Sequence, residues 1–84
     1  MNTPKRHREF LRYKNLSKQS TVSRYEIRKD MVTVKFTDGS CYLYTNQTAT
    51  PENISKMKTL AAAGKGLGTF ITSTVKDLYE RKVR

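Results

Sequence analysis

The chain has 84 residues, with 17 lysines and arginines against 7 aspartates and glutamates, for a formal charge of +10. That length holds one domain, and a domain this small buries only about 60% of its unfolded surface, which leaves little volume for a catalytic cleft. The single cysteine, Cys41, excludes an internal disulfide and a cysteine-based zinc site, and it suits a small buried residue in a reducing compartment.

The first 20 residues read as a basic arm. Thr3-Pro4 resembles a helix start, with the threonine as N-cap and the proline at the first helical position. A short helix over about 4–14 is expected, with Phe10, Leu11 and Tyr13 as a thin apolar stripe. Its dense charge suits ordering on a partner. Asn15 to Ser20 reads as a polar linker, so the expected organisation is an arm over 1–20 and a folded domain over 21–84.

From Thr21 the period changes to two. Ser23, Tyr25 and Ile27 alternate with Arg24, Glu26 and Arg28, and Val32, Val34 and Phe36 alternate with Thr33 and Lys35. Asp38-Gly39 is a hairpin signal, and Cys41 to Thr45 follows as a third strand. The expected sheet is an antiparallel meander over 21–28, 31–37 and 40–45. A two-residue loop at Asp38-Gly39 would place Tyr42 and Tyr44 on the outer face beside Lys35, as a platform for stacking bases. A three-residue loop with Gly39 as a bulge would instead pair Val34 with Tyr42 and turn both tyrosines toward the helices, since a one-residue slip reverses every side chain.

The second half reads as two helices. Thr50-Pro51-Glu52 supplies an N-cap, a proline at the first position and an acid in the first turn. Ile54, Met57, Leu60 and Ala61 form an apolar stripe, and Gly64 stands where a helix-terminating glycine belongs. After the joint Gly64-Lys65-Gly66-Leu67-Gly68, a second helix is expected to start at Thr69 or Thr74 and to end near Lys82 and Arg84. The fold class is therefore α+β: a three-stranded antiparallel meander followed by two helices packed on one face, behind a basic arm.

This order resembles the KTSC family, named after a C-terminal segment of some lysyl-tRNA synthetases. The resemblance runs from Tyr25 through Val32-Thr33-Val34-Lys35-Phe36, Gly39 and Tyr42-Leu43-Tyr44 to Phe70-Ile71 and Val75-Lys76-Asp77-Leu78-Tyr79. It covers roughly 21–80 and implies the β-β-β-α-α fold. The family's spacing around Gly39 is similar to the three-residue loop. The chain departs from the family's Ser-Lys-Gly-like joint and from its asparagine near the second helix start, where Thr72 stands.

Charge points to function. Residues 1–29 carry nine bases against two acids, whereas residues 30–84 carry eight against five. Such asymmetry marks an end that faces a polyanion. The candidate nucleic-acid-binding residues are Lys5, Arg6, Arg8, Arg12, Lys14, Lys18, Arg24 and Arg28, with Lys65 added from the glycine-rich joint. The joint itself matches neither G-x-x-x-x-G-K-S/T nor G-x-G-x-x-G, and it follows a helix, so it reads as a connector. Phe10, Leu11 and Tyr13 are candidate partner anchors, because apolar residues are wasted on phosphates.

No catalytic constellation emerges. His7 is the only histidine and lies in the arm, while Asp77 and Glu80 are interleaved with Lys76, Arg81 and Lys82 as on a solvated helix face. No cofactor or metal is expected. The expected function is a non-enzymatic module binding RNA or DNA through phosphates. The alternative is a protein-interaction module or accessory subunit docking on an acidic or ribonucleoprotein partner. An anionic membrane surface ranks last, given the small apolar face available for insertion. With no signal peptide and no spanning segment in view, a cytoplasmic protein is expected, as monomer or weak homodimer.

Overall fold

The structure, a computed structural model, describes residues 10–16, 18 and 20–83. It is an α+β arrangement in which an antiparallel sheet of five strands carries helices on one face. The strands are β1 (Leu11–Arg12), β2 (Val22–Arg28), β3 (Met31–Phe36), β4 (Cys41–Thr45) and β5 (Arg81–Lys82), and they lie in the sheet in chain order. Between β4 and β5 come α1 (Asn46–Ala49), α2 (Pro51–Ala63) and α3 (Leu67–Phe70), the last running into a π-helical turn over Ile71–Val75.

The three central strands follow from the period-two pattern. Val34 pairs with Tyr25 on one side and Tyr42 on the other, and Val32 pairs with Ile27 and Tyr44. Directly paired residues share a face, so these rows line one side of the sheet. All of them but Ile27, which is 38% exposed, pack with Ile54, Met57, Ala61, Leu67, Ile71 and Val75 from the helices into one core. The β3–β4 connection is the three-residue form. Phe36 N–H donates to the Ser40 carbonyl at 2.8 Å, and Gly39 sits at φ +94°, a conformation glycine reaches without a Cβ clash. Asp38 closes the turn by accepting from the Ser40 amide at 2.9 Å and the Ser40 hydroxyl at 2.6 Å.

At β2 the register shifts between Val22 and Arg24. Simple alternation would put Val22 on the same side as Arg24. The irregularity pairs Val22 with Phe36 and lets it enter the core at 2% exposure, while Arg24 still faces outward opposite Lys35.

α2 begins and ends where its caps dictate. The Thr50 hydroxyl accepts from Asn53 N–H at 3.3 Å, Pro51 occupies the first position, and Gly64 closes the helix in the left-handed conformation at φ +75°. The extra turn α1 is capped reciprocally by Thr45 and Thr48.

The ends of the chain differ from the sequence expectation. The helix expected over 4–14 lies outside the described residues as far as residue 9. The described part holds no helix there: Leu11 and Arg12 form a strand paired to Tyr25 and Arg24. The two-residue spacing of Leu11 and Tyr13 fits a strand, and β2 offers them an open edge. The second helix stops after Val75 rather than near Lys82. Three hydroxyl residues in succession weaken it: Thr72 donates to the Gly68 carbonyl at 3.0 Å and Ser73 to the Thr69 carbonyl at 2.8 Å, a pattern that loosens the backbone ladder. The freed segment returns to β4, where Glu80 N–H donates to the Leu43 carbonyl and Val83 N–H to the Cys41 carbonyl, each at 2.6 Å. Five strands therefore stand where three were expected.

Candidate nucleic-acid interface

The sheet face away from the helices collects cations in register. Arg12 pairs with Arg24, Arg24 with Lys35, and Lys35 with Cys41, so one cross-strand row carries three positive side chains over β1, β2 and β3. The next row runs Glu26, Thr33, Leu43 and Arg81, and the third runs Arg28, Met31 and Thr45. Strands stand about 4.8 Å apart, so the backbone positions of the three cationic residues in the first row span about 10 Å. Like charges directly opposite each other weaken strand pairing. Such a row does nothing for stability.

Glu26 is the acid on this face among the described residues. Its Oε2 accepts from Arg28 Nε and from Arg28 Nη2, both at 3.2 Å, and it is itself 6% exposed. It answers Arg28 and leaves the Arg12–Arg24–Lys35 row without an opposing carboxylate among the described residues. Arg12, Arg24 and Arg81 are exposed and Lys35 is half-buried. Thr33, Cys41, Leu43 and Thr45 form a buried floor outside the core cluster. The residues paired in these three rows include no aromatic ring, so what the rows themselves offer is charge, with the half-buried Phe10 two residues before Arg12.

The expected site residues fall into separate groups. Arg12, Arg24 and Arg28 lie on this face. Lys35 and Arg81 join them; the sequence places Lys35 on this face only as part of the stacking platform with Tyr42 and Tyr44, and offers no sign of Arg81. Lys35 was within reach, since it alternates with Val34 and Phe36 and must face away from them. Arg81 was not, because a two-residue strand has no period to read. Lys14 and Lys65 belong elsewhere, at the Gly64 joint. Leu16 N–H donates to the Gly64 carbonyl at 2.7 Å, and the stem of Lys14 lies so close over Gly64 that a Cβ there would fall 2.5 Å from Lys14 Cβ. Lys65 is exposed in that joint, and Lys18 is exposed at φ +60°. Lys5, Arg6 and Arg8 lie outside the described residues.

The apolar anchors divide in the same way. Leu11 is 54% exposed and Phe10 half-buried, but Tyr13 is 3% exposed and belongs to the core. Its hydroxyl accepts from Leu67 N–H at 3.1 Å. That bond occupies a backbone donor of the glycine-rich joint that a bound phosphate would need, in keeping with a connector.

Tyr42 and Tyr44 face the helices. Tyr44 is 1% exposed, and burial, reinforced by Tyr42, Tyr79 and Asp77, pushes its hydroxyl pKa up to about 12. The ring centroids of Tyr42 and Tyr79 lie 4.7 Å apart and those of Tyr44 and Tyr79 6.3 Å apart, all edge to face.

Among the described residues no group of three or more His, Cys, Asp or Glu side chains could hold a metal ion, and no helix is long and apolar enough to cross a membrane. Comparison of the chain with family models, curated proteins and solved structures gave no match.

Proposed function

We propose that this chain is a non-enzymatic module that binds RNA or DNA through its phosphates, using the outer face of the sheet. The observation that carries the reading is the row Arg12–Arg24–Lys35, flanked by Arg28 and Arg81 and answered by one carboxylate among the described residues. Cations in such a row repel one another until an anion lies across them, and a nucleic-acid backbone supplies anions at regular intervals. Phosphate contacts position a strand without reading it, so the binding is largely independent of sequence. Family membership is part of the same proposal: the likeness to the KTSC family rests on the order of residues from Tyr25 to Tyr79.

Fluorescence anisotropy with short RNA and DNA over a salt series tests this. With five phosphates engaged, log K should fall against log salt with a slope of about −4.5 on duplex and about −3.5 on single strands. Affinity weaker than millimolar even at low salt would remove the proposal.

One observation favours a protein partner instead. Leu11 and Leu16 stand 54% and 60% exposed, more than a phosphate-binding surface needs. A pull-down that resists nuclease and is lost on Leu11→Ala but kept on Arg24→Gln would favour an acidic or ribonucleoprotein partner docked there.

A further inference from the structure

On the helix side, the outer end of the core opens into a cleft of about 260 Å³ between β4 and the segment after α3. Its walls include Phe36, Tyr42, Tyr44 and Tyr79, with Lys76 and Asp77 also lining it. The rings meet edge to face, Phe36 with Tyr42 at 5.8 Å and Tyr42 with Tyr79 at 4.7 Å, and Lys82 Nζ stands 5.8 Å from the Tyr42 ring centre. The volume lies just below the roughly 300–1,000 Å³ typical of clefts for drug-sized ligands, which suits a single heterocyclic ring.

The lining selects the occupant by charge and shape. A cation would meet Lys76 in the lining and Lys82 beside the Tyr42 ring. An aliphatic group would make no use of Asp77 or of the lysines. A planar ring bearing N–H donors and joined to an anion satisfies all of them: aromatic walls take its faces and edges, Asp77 accepts from its edge, and the lysines meet the anion. That description fits a nucleobase on its phosphate.

The sheet edge links this cleft to the outer face. Arg81 pairs with Leu43 on the outer side, and the next residue, Lys82, pairs with Tyr42 on the cleft side. Successive strand residues point to opposite faces, so a backbone held at Arg81 needs to round only one short strand to reach Lys82. We propose that the cleft receives one unstacked base of a single-stranded nucleic acid whose backbone lies on the outer face. The inference rests on the phosphate-binding reading and adds to it a preference for single strands carrying bases.

The test compares, on the full chain, a labelled single strand of about ten nucleotides with an abasic strand of equal length and charge. The intact strand should bind about five-fold tighter or better, the low end for a base against an aromatic ring. Tyr79, exposed at 36%, can be changed at the surface: Tyr79→Ala should abolish the difference and Tyr79→Phe should keep it. Arg24→Gln should weaken both strands alike. Equal affinity of the intact and abasic strands for the unmodified chain overturns the cleft proposal alone, whatever the variants do. Failure of both strands to bind at low salt overturns the phosphate-binding reading with it.

Discussion

Two adjacent rows of the same sheet show how differently its faces are built. Toward the helices, Tyr25, Val34 and Tyr42 stand side by side across β2, β3 and β4. One residue along and facing the other way stand Arg24, Lys35 and Cys41, with Arg12 beyond Arg24 on β1. The first row is explained by burial alone, since Val34 is fully buried and each apolar side chain removed from water stabilises by about 25 cal/mol per Å². The second row has no such explanation. Three like charges in one cross-strand line oppose the pairing of the strands that carry them, a repulsion that the proposed phosphate binding would relieve. One face holds the fold together, and on the other the row of cations is the one the proposed phosphate-binding role draws on.

If that division holds, the largest losses of stability come from the helix side. Tyr13→Phe removes one hydroxyl from a residue 3% exposed and strands the Leu67 N–H, whose residue is fully buried. An unpaired buried donor costs about 1–3 kcal/mol, a large part of the stability of a domain this small. Thermal unfolding followed by circular dichroism should show the midpoint dropping by several degrees, with the salt slope of nucleic-acid binding unchanged at a temperature where the variant stays folded. An unchanged midpoint would mean that the segment before β2 is not part of the core.

Tyr13 also marks where the sequence stopped being legible. The central strands and α2 could be read in advance because their patterns are local: alternation from Ser23 to Phe36, and an N-cap, a proline and a terminating glycine around Ile54 to Ala61. The edge strands could not. β1 and β5 are two residues each, and Leu11, Arg12, Arg81 and Lys82 have no periodicity of their own. They are strands because β2 and β4 leave open edges, which is a tertiary cause. The candidate site was half visible for the same reason. Arg24 and Arg28 share a face by alternation within one strand. Their alignment with Arg12, Lys35 and Arg81 depends on the pairing of strands, which no local pattern shows.

Alkali offers a second probe of the helix side. Tyr44 ionises at about 12 when folded, against about 10 for an exposed tyrosine. Because the folded state holds this proton more tightly, the contribution is fully present below about pH 10 and is lost as pH rises toward about 12. Urea midpoints measured across that window should fall with pH, and Tyr44→Phe should flatten the slope. A decline of the same steepness in the Tyr44→Phe variant would show that the loss comes from elsewhere.

The smallest effect on stability is expected where the effect on binding is specific. Arg24 lies between Arg12 and Lys35, exposed, with both paired neighbours bearing the same charge. Arg24→Gln removes one charge from the middle of the row and keeps most of the side-chain stem over the sheet. Stability should change by no more than about 0.5 kcal/mol, and upward, since a repulsion is relieved. The salt slope on duplex should shrink by about 0.9, one phosphate contact, with affinity lowered alike for every sequence tried. A destabilisation above about 1 kcal/mol with the salt slope intact would place Arg24 among the residues that hold the sheet together. The contrast between the two faces would then be one of composition and not of purpose.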